Sequence, residues 1–170
     1  MNSNKNLVFL GMMGSGKSSI GKLVSKKLNL PFIDIDSLIV KHTGMSISKI
    51  FEEKGESYFR SLEEKMTLKY LKKIKSVVSL GGGGFTNTRI RKEILANHFS
   101  FWLNWDESII IKRIKGSKKR PLASKSSNQE IRTIIKDRSE IYSKAQFKIN
   151  CNKLTKTEIM KKIIKIYEFN

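Results

Sequence analysis

The chain has 170 residues, 39% of them hydrophobic, which is enough to bury one core but short for two independent domains. We therefore expect a single domain over residues 1–170. No run of about 18 apolar residues could cross a bilayer, and the first residues lead into a short strand instead of a signal-peptide core, so we expect a soluble, cytoplasmic protein. The formal charge of +19 suggests a polyanion partner, but the lysines are scattered over nearly every predicted helix, which disfavours nucleic acid and membranes as partners.

Five apolar runs of strand length alternate with segments of helical spacing. In chain order the runs cover residues 7–10, 32–35, 77–80, 101–103 and 147–149. Strands that alternate with helices predict a parallel sheet covered on both faces. The predicted fold is α/β, with three layers (α/β/α) around a five-stranded parallel sheet.

Two helix starts and one long loop complete the predicted elements. Asp106 is expected to cap the helix that carries Ile109, and Thr155 with Glu158 has the spacing of a capping box before the last helix. Residues 115–128 have no apolar periodicity and are rich in Ser and Lys. Loops of this length in compact domains are often lids, so we expect a mobile lid at about 115–128.

The segment GMMGSGKSS follows the first predicted strand and opens the first predicted helix. Its Gly11, Gly16, Lys17 and Ser18 have the phosphate-loop spacing in the required strand-to-helix context. Glycines let backbone N–H groups surround an anion, the helix N-terminus adds partial positive charge, and the lysine reaches the outer phosphates. The segment predicts a nucleoside triphosphate site.

A glycine run and two carboxylates follow neighbouring strands of the predicted sheet. Asp34 and Asp36 are expected at the end of the second strand and to share one face, and residues 81–84 are all glycine after the third. Ligands of open parallel sheets bind outside the carboxyl ends of the strands, so both features are predicted to face the phosphate site. Helix capping accounts for one aspartate but hardly for both.

Together these motifs resemble the shikimate kinase family. The resemblance rests on the phosphate loop, the Asp34–Asp36 pair, IFEEKGESYFRSLE, the glycine run, KRPLA and DRSEIY, which occur in order over about residues 7–150. It implies a P-loop kinase fold and transfer of the ATP γ-phosphate to the 3-hydroxyl of shikimate, in chorismate and aromatic amino acid biosynthesis. It implies shikimate and ATP as partners, Mg²⁺ as cofactor and a monomer.

The resemblance also implies roles for individual residues. Asp36, Arg60, Arg138 and the glycines Gly81, Gly82 and Gly83 would bind shikimate, with Glu63 holding Arg60. The ATP site would comprise Gly14, Ser15, Gly16, Lys17, Ser18, Ser19, Arg113 and Arg120. Ser18 and Asp34 would hold Mg²⁺, and the catalytic residues would be Lys17, Asp36 and Arg120, the last of which lies in the lid.

Several alternatives remain open at this stage. Arg113 is either an adenine-stacking residue or a solvated arginine at a helix end, and Phe51 and Phe59 either line the substrate or pack in the core. Gluconate kinases and nucleoside monophosphate kinases share the first motif. A carboxylate pair suits a metal and a polyhydroxylated acceptor better than a phosphate, which favours shikimate. An ATP-dependent nucleic-acid-binding regulator is supported only by the charge.

Overall fold

The structure is a computed structural model, and it describes residues 5–117 and 126–170. Five parallel strands form one sheet: β1 Leu7–Leu10, β2 Phe32–Asp34, β3 Val77–Ser79, β4 Phe99–Asn104 and β5 Phe147–Asn150. Seven helices are described: α1 Lys17–Leu28, α2 Ile35–Thr43, α3 Ile47–Leu71, α4 Thr88–Asn97, α5 Glu107–Lys115, α6 Asn128–Tyr142 and α7 Lys156–Glu168, with a 3₁₀ turn at Gly84–Thr86. The predicted α/β fold is confirmed.

The strand order is β2-β3-β1-β4-β5, which puts β1 at the centre of the sheet. In the register of the strands, Ser79 at the end of β3 lies opposite both Phe9 of β1 and Asp34 of β2. Three features therefore lie side by side at the carboxyl ends of the strands: the phosphate loop, the glycine run and the Asp34 carboxylate.

The two faces of the sheet carry separate cores because successive strand residues point to opposite sides. Leu7 and Phe9 pack with α1 and α7, whereas Val8 and Leu10 pack with the remaining helices. This arrangement gives the three predicted layers. Among the described helices, none combines the length and apolarity that a bilayer span requires.

A glycine in the first half of α3 interrupts the helix, which the sequence pattern did not predict. Gly55 has a φ of +81°, which is accessible to glycine but strained for other residues, and it kinks the helix. The rings of Phe51 and Phe59, on either side of this kink, lie 4.9 Å apart.

One predicted cap is wrong and another is confirmed. Asp106 precedes α5, but its side chain makes no hydrogen bond to the helix; its Oδ1 accepts instead from Asn152 Nδ2 at 2.6 Å. Thr155 and Glu158 form the reciprocal capping box before α7, and these hydrogen bonds lower the pKa of Glu158. The sequence pattern cannot show the tertiary partner that draws Asp106 away from its helix.

Candidate active site

The predicted phosphate loop connects β1 to α1 at the centre of the sheet edge. Gly16 takes the N-cap position of α1 with a left-handed φ of +87°. Lys17 is only 6% exposed, and its Nζ donates to the carbonyls of Gly11 and Met12 at 2.9 and 3.0 Å. The lysine ammonium is thus held inside the loop, at the start of a helix whose dipole favours an anion.

A cleft of about 260 Å³ opens at this loop. Phosphate-loop residues line one side of it, and the two predicted carboxylates, Asp34 and Asp36, line another. The structure therefore brings together a site for phosphates and the acidic groups that follow β2, two strands away from β1 in the sheet.

The two carboxylates reach the cleft differently from the prediction. Strand β2 ends at Asp34, and Asp36 lies in the first turn of α2, so the two residues do not share one face of a strand. Asp34 Oδ1 accepts from Ser37 N at 3.0 Å and caps α2, while its Oδ2 accepts from Ser18 Oγ at 2.5 Å. A single aspartate therefore both caps the helix and binds the phosphate-loop serine.

The glycine run is approached from several sides by the polypeptide itself. A β-carbon on Gly81 would lie 2.3 Å from Glu63 Oε1 and 2.7 Å from Asp36 Oδ1, and one on Gly83 would lie 2.6 Å from Arg60 Nη1. A side chain at either position would displace the charged ends of Glu63, Asp36 or Arg60. The absence of side chains on these glycines therefore lets the charged groups of the site pack directly against the backbone of the run.

The run also touches the phosphate loop. A β-carbon on Gly82 would lie 3.2 Å from the backbone nitrogen of Met13 and 3.5 Å from Arg138 Nη1. Gly82 is therefore a point at which the phosphate loop and a predicted acceptor residue come within a few ångströms of each other.

Arg60 is held by two glutamates of its own helix. Its Nη1 donates to Glu63 Oε2 at 2.8 Å, as predicted, and its Nε and Nη2 both donate to Glu56 Oε1 at 3.2 and 3.1 Å. Glu63 is 2% exposed, whereas the Glu56 side chain is 65% exposed. The inner glutamate positions the guanidinium, and the outer one occupies its solvent-facing edge.

Burial and charge act in opposite directions on this pair. Burial raises the pKa of Glu63, and the Arg60 charge and hydrogen bond oppose that shift. Burial disfavours the Arg60 cation, but the charges and hydrogen bonds of Glu63 and Glu56 outweigh it and raise its pKa. Within the described residues, Glu63 Oε1 has no hydrogen-bond partner.

Arg138 and Tyr142 reach the glycine run from α6. Arg138 Nη1 donates to the Gly82 carbonyl at 3.3 Å, and the Tyr142 hydroxyl donates to the same oxygen. Tyr142 is 1% exposed, and burial raises its pKa to about 12, so it stays protonated as a donor. No role was predicted for Tyr142, although it lies four residues after Arg138 and such residues share one face of a helix.

Arg113 lies beside the phosphate loop on α5. Its guanidinium is stacked 3.9 Å from the centre of the Trp105 ring, and its Nη1 donates to the Gly14 carbonyl at 3.2 Å. The Trp105 indole donates to the Ser15 carbonyl at 2.9 Å. Trp105 was not singled out from the sequence, because one aromatic residue after a strand carries no distinctive signal.

The other predicted site residues differ in what the structure shows of them. Phe59 is 3% exposed and belongs to the core, and the partly buried Phe51 packs against the same core. Arg120 and most of the predicted lid, residues 118–125, lie outside the described residues. In the described part of the chain, no three His, Cys, Asp or Glu side chains cluster as metal ligands.

A central phosphate loop, with carboxylates that follow another strand of the same parallel sheet, defines the class of the protein as a P-loop kinase. The model of one family, "Shikimate kinase", matches residues 13–168. A shikimate kinase of Thermodesulfovibrio yellowstonii is 41% identical over 165 residues, covering 96% of this chain and 95% of the relative.

Two solved structures agree with this match. Shikimate kinase from Acinetobacter baumannii in complex with shikimate has a TM-score of 0.91 at 27% identity, covering 98% of this chain and 94% of that one. Shikimate kinase from Aquifex aeolicus has a TM-score of 0.86 at 36% identity, with 96% of both chains covered. This chain belongs to the shikimate kinase family, and it is a phosphotransferase.

Proposed function

We propose that this chain transfers the γ-phosphoryl group of ATP to the 3-hydroxyl of shikimate, giving shikimate 3-phosphate and ADP, in the biosynthesis of chorismate and the aromatic amino acids. The proposal rests on one observation: the phosphate loop, Arg60 and Arg138 all lie close to the backbone of the glycine run. A triphosphate and a small carboxylate acceptor would therefore bind next to each other.

The nucleotide side would use the phosphate loop as it stands. Residues 14–19 would surround the phosphates with backbone N–H groups and hydroxyls, and the Lys17 ammonium would leave its carbonyl partners for the outer phosphates. Phosphoryl transfer needs mainly alignment and charge stabilisation, which a lysine inside a helix-terminal loop can supply.

The residues at the cleft fit a magnesium ion. The Ser18 hydroxyl and the Asp34 carboxylate are hard oxygen donors 2.5 Å apart. Mg²⁺ in kinases is commonly held by one or two protein oxygens, by substrate phosphates and by water. Ser18 would bind the ion directly and Asp34 through water; the bound ion would neutralise charge on the phosphates.

The acceptor side would be held by the two arginines. A carboxylate is best bound by a planar guanidinium, which offers two parallel donors. Arg60 would exchange its exposed partner Glu56 for the acceptor carboxylate while Glu63 keeps the guanidinium oriented. Arg138, whose Nη1 donates to the Gly82 carbonyl, would bind the same acid beside the glycine run.

Asp36 would bind the reacting hydroxyl. It lines the cleft together with the phosphate loop, and its Oδ1 lies against Gly81. A carboxylate in this position can accept the hydroxyl proton and orient the oxygen toward the γ-phosphate. The backbone of Gly81, Gly82 and Gly83 would contact the remaining ring oxygens.

Two further residues and three general properties complete the proposal. Arg113 would stack on the adenine, and Arg120 would reach the phosphates when a lid at about 115–128 closes and excludes water.

We also expect one domain over residues 1–170, a monomer and a cytoplasmic location, as inferred from the sequence.

A coupled assay of ADP release with a panel of acceptors tests this function. Shikimate, gluconate and nucleoside monophosphates are compared at equal concentration with ATP and Mg²⁺. We expect shikimate to raise the rate far above the acceptor-free background. A shikimate rate equal to that background would contradict the proposal, and a faster rate with gluconate or a nucleotide would favour another P-loop kinase activity.

A further inference from the structure

Trp105 connects the end of the central sheet to the phosphate loop by two contacts. It follows β4 directly and is half-buried. Its indole N–H donates to the Ser15 carbonyl at 2.9 Å, and its ring lies under the guanidinium of Arg113, which donates to the Gly14 carbonyl. Two successive carbonyls of the phosphate loop are thus bound by one stacked pair of side chains.

The direction in which these carbonyls point determines where the backbone N–H groups of the phosphate loop point, and these N–H groups would bind phosphate. In a planar trans peptide, the carbonyl and the following N–H point in opposite directions. A Ser15 carbonyl that is bound to Trp105 therefore turns the Gly16 N–H away from Trp105. Gly16 lines the cleft, and Trp105 is not among the cleft's lining residues.

The carbonyl of Gly16 is fixed, since it accepts from Ile20 N at 2.9 Å, but the peptide on its N-terminal side has no such bond to the helix. The left-handed φ of +87° at Gly16 has alternatives at little steric cost, since glycine has no β-carbon. Without a tether on the Ser15 carbonyl, the Ser15–Gly16 peptide could therefore rotate. A phosphate would then have to order it on binding, and that ordering weakens affinity.

We propose that Trp105 is a positioning residue of the nucleotide site, which presets the Ser15–Gly16 peptide and supports Arg113 on the Gly14 carbonyl. The inference rests on the proposed function, because it assumes that nucleotide phosphates bind in this cleft. Trp105 acts through the loop backbone: its polar and stacking contacts are with Ser15 and Arg113, neither of which is a predicted acceptor residue. Its loss should therefore affect one substrate only.

Two variants separate the two contacts. Trp105→Phe keeps a ring under Arg113 and removes the N–H donor, whereas Trp105→Leu removes both. Calorimetric titration with Mg²⁺-ADP should show about five-fold weaker binding for Trp105→Phe, the typical worth of one hydrogen bond. It should show about twenty-fold weaker binding or more for Trp105→Leu, since the cation–π contact is also lost.

Tyr142→Phe is the reciprocal control, because the tyrosine holds a carbonyl of the glycine run as the tryptophan holds one of the phosphate loop. In the kinase assay, Trp105→Phe should raise the KM for ATP and leave the KM for shikimate unchanged. Tyr142→Phe should do the opposite. A general loss of stability would move both constants together.

The outcomes are distinguishable. Trp105→Phe with wild-type affinity for ADP overturns the inference while the proposed function stands, and so does a parallel rise of both KM values. Wild-type protein that binds no ADP overturns the inference and the proposed function together. If Trp105→Leu fails to fold by circular dichroism, the conservative Trp105→Phe variant still decides the question.

Discussion

The charged side chains of the site are bound by other side chains and by backbone groups of the chain itself. Arg60 is bound to buried Glu63, Asp34 binds Ser18 and caps α2, and Lys17 is bound to two loop carbonyls. The contacts of Arg60 and Asp34 fix functional groups before a ligand arrives, which lowers the entropy lost on binding, whereas Lys17 would exchange its carbonyl partners for phosphate. The glycine run allows Arg60, Glu63 and Asp36 to approach its backbone closely.

Replacing Arg60 by lysine tests the carboxylate-binding role. Lysine keeps the charge but cannot form two parallel hydrogen bonds to a carboxylate, and it cannot pair with Glu63 and an acceptor in one plane. We expect the KM for shikimate to rise roughly ten-fold or more, the worth of a hydrogen bond to a charged group. The KM for ATP should change little in the same steady-state assay.

Arg89→Lys is the matched control for this substitution. Arg89 is a largely exposed arginine of α4 that pairs with Glu64 on α3 and is not one of the predicted site residues. Its replacement should leave both KM values unchanged, because exposed ion pairs contribute little. An equal rise of the two KM values in Arg60→Lys would show that Arg60 is not the carboxylate-binding residue.

At the level of the elements, the edge of the sheet opposite the site is stabilised by a buried polar network. Asn6 precedes β1; its Nδ2 donates to the Leu71 carbonyl at 2.7 Å, and its Oδ1 accepts from Ser76 N at 2.8 Å. The backbone N–H of Asn6 donates to His98 Nδ1 at 3.3 Å. The network joins the ends of α3 and α4 to the starts of the central strands.

The network makes stability depend on pH through His98, which is 6% exposed. Burial lowers its pKa below the usual 6.5; Lys5 adds to this shift and Glu93 opposes it. The folded protein therefore binds this proton more weakly than the unfolded chain does. Stability should be complete above about pH 6.5 and decline as the pH falls through the lowered pKa of the folded state.

Urea unfolding at pH 8 and pH 5.5 measures this effect. His98→Asn retains an acceptor for the Asn6 N–H without a titrating group, so it should lose less stability on acidification than the wild type does. His42→Asn, at an exposed position, serves as the control and should behave like the wild type. An identical pH dependence in all three proteins would exclude His98 as the cause.

Local sequence patterns predicted a strand, a helix or a cap well where only neighbouring residues determine it. The five strands follow from their apolar runs, and the capping box of Thr155 follows from adjacent residues. The prediction was wrong where a tertiary partner competes, as Asn152 does for Asp106.

At the scale of the whole molecule, the order of the strands brings the site together. Placing β1 between β3 and β4 sets the phosphate loop beside the glycine run, and placing β2 next to β3 adds the aspartates. The apolar pattern predicts five parallel strands but not their order. Side-chain contacts between distant segments, such as Tyr142 with Gly82 or Trp105 with Ser15, depend on that order and could not be predicted.

The central claim is that one sheet edge places a triphosphate against a specific hydroxyl of a small acid. Phosphorus-31 NMR of the protein with ATP, Mg²⁺ and shikimate tests it most directly, because the position of a new phosphate ester is seen in its coupling to a ring proton. We predict one phosphomonoester coupled to the proton on carbon 3, formed together with ADP. ADP with inorganic phosphate only, or an ester at another hydroxyl, would contradict the account.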